Sequence, residues 1–334
     1  MKNYKIYTGI DVSKSSLDYC ILDDRSNVLD QGKTGNDVKS IKSLLSKIKK
    51  MKIQLSQVLF SFENTGIYSL PLTIFLAENN CCFAELPALE IKKSKGITRG
   101  KSDRTDAKDI ALYSLRYQDK IVLSTAPELN ILELKLLFAE REKITQAIKI
   151  FGSTSENQNF VPRSVFKTVT EINRKTLIQL KKTLKKIEEK INGIIEADDK
   201  LREQKKLLVS VPGIGDVTAL YLILATKGFS SFQTWRKFAC YSGVAPFEHS
   251  SGTSIRGKTR VSHLADKKMK SLLHLVALNA VRCDAELKEY YTKKKNEGKH
   301  TLVVINNIKC KIISRAFAVI NRNSPFVNTY KFAS

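Results

Sequence analysis

The chain has 334 residues, enough for two domains, and its 42% of hydrophobic residues can supply their cores. Lys and Arg number 57 against 33 Asp and Glu, so the charge of +24 predicts a polyanionic partner, nucleic acid before a membrane surface. No apolar run is long enough to cross a bilayer, and the N-terminal residues lack the apolar core of a signal peptide. We therefore expect a cytosolic protein with no membrane partner. The six cysteines show no metal-binding spacing and are expected to be reduced.

The first third of the chain predicts a mixed α/β domain over residues 1–127. Apolar, β-rich runs at 4–10, 17–22 and 27–32 predict an antiparallel meander. Further apolar runs predict strands at 58–62 and 81–86. Apolar residues at helical spacing predict helices over 36–50, 67–79 and 106–116.

The rest of the chain predicts helices. Residues 128–150 and 165–206 are rich in Leu, Ile, Lys and Glu at helical spacing, with a polar break at 152–162, and indicate a helical, coiled-coil arm over 128–205. A solvated spacer and a dimerisation arm both fit this pattern. Residues 206–334 predict a mostly α-helical domain, with helices near 217–226, 264–282 and 300–321 around a Gly/Ser-rich loop at 242–258.

Four acids stand where catalytic carboxylates are expected. Asp11 ends the first strand and Glu63 ends a later one, while Asp103 and Asp106 share one face of a predicted helix start. Such a cluster can hold the magnesium ions that phosphoryl transfer uses. Taken singly, each acid has an ordinary explanation, because Asp11 and Glu63 suit turns, and Asp103 or Asp106 suits the cap of a helix beginning at Ala107.

The order strand–Asp, strand–Glu, then Asp-x-x-Asp on a helix resembles the RuvC-like variant of the ribonuclease H fold. The blocks GIDVSK, ENTGIY and KSDRTDAKDIA are similar to those of bacterial insertion-sequence transposases of the DEDD type, relatives of the Piv DNA invertase. The resemblance implies that the four acids form a metal-binding tetrad for Mg²⁺, with Mn²⁺ as the alternative. It also implies a bacterial cytoplasmic protein that associates with the nucleoid when bound to DNA. Lys101 and Arg104 lie within the third block and are candidates for nucleic-acid contacts.

The segment YSGVAPFEHSSGTSIRGKTRVSH offers hydroxyl nucleophiles among basic residues. Composition alone favours an ordinary loop. The segment nevertheless resembles the C-terminal domain of the same transposase family, and the resemblance implies Ser251 as the nucleophile, with Ser250 as the alternative. Arg256, Lys258 and Arg260 are then candidates for holding a scissile phosphate.

The sequence VPGIG at 211–215 precedes a predicted helix and resembles half of a helix-hairpin-helix DNA contact. Gly213 and Gly215 are therefore candidates for contact with the DNA backbone. A plain turn between two helices is the alternative explanation of the same residues.

These features together predict a transposase or site-specific recombinase that acts on donor and target DNA through a covalent phosphoserine link. The resemblance further implies a structured guide RNA, sometimes called a bridge RNA, and strand exchange implies a homodimer or homotetramer. Two other interpretations stay open. One is a RuvC-like nuclease or junction resolvase that uses water, and the other is a non-catalytic basic scaffold that binds nucleic acid.

Overall fold

A computed structural model describes residues 4–94, 103–126, 128–153, 160, 162–251, 255–261 and 265–328. The chain divides into two compact units, residues 1–128 and 129–334. The first unit is a mixed α/β sheet domain and the second is mostly helical, as the sequence predicts. No helix in the described ranges is long and apolar enough to span a bilayer.

A five-stranded sheet in the order β3-β2-β1-β4-β5 organises the first unit. Strands β1, β2 and β3 form the predicted antiparallel meander, and β1, β4 and β5 run parallel to one another. The strands are β1 (Ile6–Val12), β2 (Ser16–Asp23), β3 (Val28–Gly35), β4 (Val58–Glu63) and β5 (Cys82–Leu86). The helices are α1 (Val38–Lys50), α2 (Leu70–Glu78), α3 (Ala88–Ser94) and α4 (Asp103–Arg116), with short 3-10 turns at Leu55–Gln57 and Gly66–Ser69.

Side-chain alternation along the strands divides the core into two layers. On one face, Ile6 and Ile10 of β1 and Phe60 of β4 pack with apolar residues of α1 and α2. On the other face, Tyr7 and its neighbours pack with Ala107 and Ala111 of α4. The sheet is therefore covered on both sides, and α4 lies over β1 on its second face.

A long antiparallel helix pair opens the second unit. Helices α5 (Leu129–Gly152) and α6 (Arg163–Ala197) are joined by ion pairs such as Arg141–Glu188, at 2.9 Å between nitrogen and oxygen. Apolar residues at the end of this pair, including Leu134 and Ile191, belong to the same buried cluster as the following helices. The coiled-coil arm over 128–205 and the boundary at 206 stay predictions.

The remaining helices pack around that shared cluster. They are α7 (Asp199–Val209), α8 (Asp216–Thr226), α9 (Trp235–Tyr241), α10 (Lys267–Cys283), α11 (Ala285–Asn296) and α12 (Thr301–Asn321). The stretch 165–206, predicted as helical, forms two helices, because Asp198 leaves helical geometry and caps α7 by accepting from the Leu201 amide at 3.1 Å. Helices α9 and α11 were not predicted.

The predicted loop at 242–258 was also wrong. Strands β6 (Pro246–Ser251) and β7 (Ile255–Val261) pair antiparallel there, with a register shift between Phe247 and His249. Gly, Ser and charged residues are poor strand formers on average, so their composition concealed a strand pair that backbone hydrogen bonds hold together.

Candidate active site

Asp11 and Glu63 lie on adjacent parallel strands at the same end of the sheet. Strands β1 and β4 are in register up to the pair Ile10–Phe62, and Asp11 and Glu63 are the next residues on each strand. Side chains at one level of neighbouring strands point to the same face, and here that face is the one covered by α4. Both side chains are half-buried at its edge.

Gly9 fixes how closely α4 approaches this face. A Cβ atom at Gly9 would stand 2.2 Å from the Ala107 carbonyl oxygen and 2.3 Å from the Ala111 amide nitrogen, inside the contact distance of any real side chain. The helix backbone therefore rests directly on β1. Glycine is required here because of this close approach, since its φ is that of an ordinary strand.

The same contacts give α4 its direction. The Tyr7 hydroxyl donates to Gln118 just beyond the C-terminal end of α4, at 3.0 Å, while Gly9 lies beneath Ala107 and Ala111. Asp11, two residues further along β1, consequently lies toward the N-terminal turn of α4, where Asp103 and Asp106 stand. Since α4 begins at Asp103, the alternative in which these acids cap a helix beginning at Ala107 was wrong.

The donor set at this end of the sheet suits a hard divalent cation. Carboxylate oxygens of Asp11, Glu63 and Asp106 are the ligands that Mg²⁺ and Mn²⁺ prefer. The buried Ser61 hydroxyl, beside Gly9 in the strand register, has no hydrogen-bond partner among the described residues. Within those same residues no three acidic, histidine or cysteine side chains meet closely enough to hold a metal. The Asp103 side chain lies outside the described residues, as do Lys101 and the side chain of Arg104.

A hydrogen-bond network holds the turn that follows Glu63. The Asn64 amide donates to one Glu85 oxygen at 2.9 Å, and the Thr73 hydroxyl donates to the other at 3.0 Å. Asn64 also accepts from the Gly66 amide at 3.0 Å, which closes the turn. Glu85 is therefore a structural acid that positions the end of β4, and sequence reasoning missed it.

A fifth acid, Asp18, stands directly across from Asp11 on β2. Residues opposite each other in an antiparallel pair share a face, so the two carboxylates point to the same side. Asp18 is buried and pairs with Lys33 of β3, at 3.1 Å between oxygen and nitrogen. Sequence reasoning missed this pair, although counting back through the meander places Asp18 opposite Asp11. The Lys33 ammonium compensates the negative charge of Asp18.

The structure places both candidate serines on β6. Ser250 is opposite Arg256, and Ser251 is opposite Ile255, in the register of β6 and β7. Lys258 and Arg260 also lie on β7. The side chains of both strands lie outside the described residues, as do residues 252–254.

The two glycines of VPGIG have different surroundings. Gly213 has φ +92°, and a Cβ there would meet the Val276 carbonyl at 2.8 Å and the Ala280 side chain at 2.9 Å, so this glycine lets the turn pack on α10. Gly215 is the N-cap residue of α8, and a Cβ there would meet open space. Asp216 in the first turn pairs with Lys205 at 3.0 Å. Packing thus explains Gly213 by itself, and contact with DNA stays a prediction for both glycines.

Segments in both units of the chain match families of transposases. Residues 8–150 match a model of DEDD transposases of IS110 elements, described as Transposase, and residues 205–292 match one described as Transposase IS116/IS110/IS902 family. The chain is 26% identical to the pilin gene-inverting protein of Moraxella bovis over 96% of this chain and 98% of that one. The corresponding protein of Moraxella lacunata is 25% identical over the same shares.

A protein of insertion element IS110 from Streptomyces coelicolor is 26% identical over 65% of this chain and 53% of its own length. The two transposase models follow one another along the chain in separate segments, and the Moraxella relatives align over nearly its whole length. The chain is therefore a transposase, an enzyme of DNA recombination, and its matched segments are similar to those of the IS110/IS116/IS902 transposases.

Proposed function

We propose that this transposase cuts and rejoins donor and target DNA through a covalent phosphoserine link formed by Ser251, with Ser250 as the alternative. The observation that carries the proposal is the placement of Asp11 and Glu63 on one face and at one end of the sheet, beside the start of α4. The match of the serine-bearing segment to the second transposase model supports the other half of the chemistry.

In the proposed cleavage each bond that forms replaces one that breaks, so no external energy source is needed. The serine oxygen forms a bond to a DNA phosphorus, the bond from phosphorus to one DNA oxygen breaks, and that oxygen takes up a proton as the serine loses its own. In the second step a hydroxyl of the other DNA strand displaces the serine and restores its proton. The phosphodiester bond is conserved in number, so the reaction needs no nucleotide cofactor.

Asp11, Glu63, Asp103 and Asp106 would hold Mg²⁺, with Mn²⁺ as the alternative. A divalent cation at this site would offset charge on the phosphate and on the leaving oxygen. The contribution of the chain is to fix the carboxylates: β1 and β4 set two of them in register, and the Gly9 contact sets the distance of α4.

Nucleic-acid binding is proposed for two groups of residues. Arg256, Lys258 and Arg260 lie on β7, which pairs with the serine-bearing strand, and Lys101 and Arg104 stand on either side of Asp103 in the sequence. Gly215 can offer a free amide at the N-terminus of α8, and Gly213 the backbone before it. A structured guide RNA would supply sequence choice by base pairing while these residues contact phosphates.

The proposed homodimer or homotetramer is supported by α6. Gly152 at the end of α5 lies against Leu177, so the segment 163–176 of α6 extends beyond its partner helix. Val165, Val169 and Ile172 are spaced four and three residues apart on this segment and are 65%, 46% and 59% exposed. That spacing is the one by which two helices pack side by side, which favours a coiled-coil contact between copies.

A trapping assay tests the proposed chemistry. Purified protein, its co-expressed RNA, labelled donor and target DNA and Mg²⁺ are incubated and separated on a denaturing gel. We expect a protein–DNA band that disappears in Ser251→Ala and in Asp11→Asn, and persists in the matched control Ser46→Ala on α1. Cleaved DNA with no shifted band, unchanged in Ser251→Ala and Ser250→Ala, would instead establish a nuclease that uses water.

A further inference from the structure

Lys309 occupies a position in α12 where an apolar residue is expected. Its neighbours on the same face, Ile305, Ile308 and Ile312, are almost completely buried, and Lys309 itself is only 6% exposed. An ammonium group at the end of so deeply buried a side chain keeps little hydration, and an anion or several hydrogen-bond acceptors offset that loss. An apolar side chain at this position would pack among the isoleucines without the cost of burying a charge.

No such partner is found among the residues that the structure describes. Neither an ion pair nor a hydrogen bond connects the Lys309 ammonium to any of them, and no carboxylate is among the groups that influence its pKa. Arg315, on the same helix, shows the contrast: its guanidinium donates to Asp284 at 2.8 Å and to Glu286 at 2.6 Å. The buried arginine is compensated by acids and the buried lysine is not.

A second cation lies on a helix that packs against α12. This is the half-buried Lys270 of α10, whose charge adds to the larger lowering of the pKa of Lys309 that burial causes. Lys270 likewise has no ion pair in the described part of the chain. Two neighbouring cations without an acid repel each other, and an anion between them removes both the repulsion and the loss of hydration.

The lysine pair lies at the entry to the serine-bearing strand. The side chains of Asn306 and Cys310, on either side of Lys309 along α12, both donate to the Val244 carbonyl, at 2.6 and 3.5 Å. Val244 is two residues before Pro246, where β6 begins. An anion held by the pair would therefore lie near the start of the strand that carries Ser250 and Ser251.

We propose that Lys270 and Lys309 together bind one phosphodiester group of a nucleic-acid strand at the base of β6. A phosphodiester carries one negative charge and two non-bridging oxygens, so each ammonium can donate to an oxygen of the same group. The proposal relies on the proposed function for the choice of nucleic acid as the ligand. The strand is DNA or guide RNA, and the two sources share this chemistry.

The test measures binding in EDTA, where strand cleavage is absent, with a short labelled DNA duplex and separately a labelled RNA hairpin. Affinity is recorded by fluorescence anisotropy at several salt concentrations for the full-length chain. For Lys309→Met we expect roughly tenfold weaker binding and a salt slope smaller by about one, because one phosphate contact is lost. The double variant with Lys270→Met should lose little more than either single one, because both lysines share a phosphate.

Two controls separate this site from a general effect of charge or a structural role. Lys311→Met removes a lysine of the same helix whose ammonium pairs with Glu286 at 3.5 Å, and its salt slope should stay that of the unmodified chain. Without nucleic acid, Lys309→Met should unfold at a higher temperature than the unmodified chain, because an uncompensated buried charge is replaced by an apolar side chain of similar length.

An unchanged slope and affinity in Lys309→Met, or a lower unfolding temperature with an unchanged slope, would overturn the lysine pair and leave the serine chemistry standing. A loss confined to the duplex assigns the phosphate to DNA, and a loss confined to the hairpin assigns it to RNA. If the unmodified protein forms no serine adduct in the trapping assay but still shows this binding, only the proposed serine chemistry is refuted.

Discussion

The two units of this transposase differ in the sign of the charge that they concentrate or bury. The sheet unit gathers carboxylates at one end, with Asp11, Asp18 and Glu63 on the same face, and pairs Asp18 with Lys33. The helical unit buries Lys309 with no acid beside it in the described part of the chain, although it supplies Arg315 with two. Unlike a buried ion pair, which the fold completes by itself, each of these sites suits a ligand of the opposite sign.

The largest effect is expected from removing charge from the acid face, the end of the sheet that carries Asp11 and Glu63. Asp11→Asn and Glu63→Gln should each reduce strand cleavage by about a thousandfold or more, since a metal-held phosphate loses several kcal/mol of stabilisation. Cleavage of labelled donor DNA on denaturing gels measures the effect. Asp24→Asn, in the exposed turn after β2, should cleave at the rate of the unmodified protein. Full activity of Asp11→Asn would remove the acid face from the mechanism.

The next largest effect is expected on stability, from replacing Arg315, the cation of the helical unit that is paired with acids. Arg315→Met leaves Asp284, which is 2% exposed, without its partner and should lower the free energy of unfolding by about 3–5 kcal/mol. Urea denaturation followed by circular dichroism measures it. Arg202→Met removes an ion pair whose acid, Asp199, is 90% exposed, and should cost about 1 kcal/mol or less. Equal losses in both variants would contradict the difference in burial.

The contact between α4 and β1 is sensitive to a single methyl group. Gly9→Ala should destabilise the sheet unit by about 3 kcal/mol and reduce cleavage, because the helix must move away from the acid face. Thermal unfolding and the cleavage assay read the two effects. Gly193→Ala, within α6 and with open space around it, should instead stabilise the protein by about 0.5–1 kcal/mol. A Gly9→Ala variant with unchanged stability would show that the helix does not rest on the strand.

The smallest expected loss concerns Asp266, which joins three helices near the end of β7. It caps α10 by accepting from the Met269 amide at 2.9 Å, and it accepts from the hydroxyls of Tyr221 and Tyr241 at 2.9 and 3.2 Å. Burial, reinforced by this carboxylate, raises the pKa of Tyr241 to about 12.

Asp266→Ala should therefore cost about 2 kcal/mol, the sum of a lost cap and weakened tyrosine bonds. The spectrophotometric titration of tyrosine should shift toward lower pH in the same variant, because Tyr241 loses its negative neighbour. The variant Asp23→Ala, whose carboxylate accepts from Asn27 in an exposed turn, should leave that titration unchanged. A variant of Asp266 with the original stability and titration would exclude this network.

The sheet unit was largely predictable because its apolar periodicity is strong and local. The spacing of apolar residues in the sequence predicts its strands and helices, and the predicted strands end at Asp11 and Glu63. Asp18 was missed because it stands between Leu17 and Tyr19 as any polar strand residue does. Only the pairing of β1 with β2 reveals that it faces Asp11.

The helical unit was predictable in type and less so in detail. The strand pair β6–β7 was hidden by its Gly, Ser and basic residues, and α11 by its high charge. Lys309 was missed even though its sequence offered a signal. Lys309 stands four residues after Ile305 and three before Ile312, a spacing that places it on the buried stripe of the helix.

The central claim is that a serine of β6 becomes linked to DNA when the acid face is intact. The most direct measurement is mass spectrometry of the trapped adduct after digestion of protein and DNA, which identifies the residue that carries the nucleotide. We predict a nucleotide phosphate on the peptide that contains Ser250 and Ser251, with fragmentation placing it on Ser251, and none in Asp11→Asn. A nucleotide on any residue outside β6, or an adduct that persists in Asp11→Asn, would contradict it.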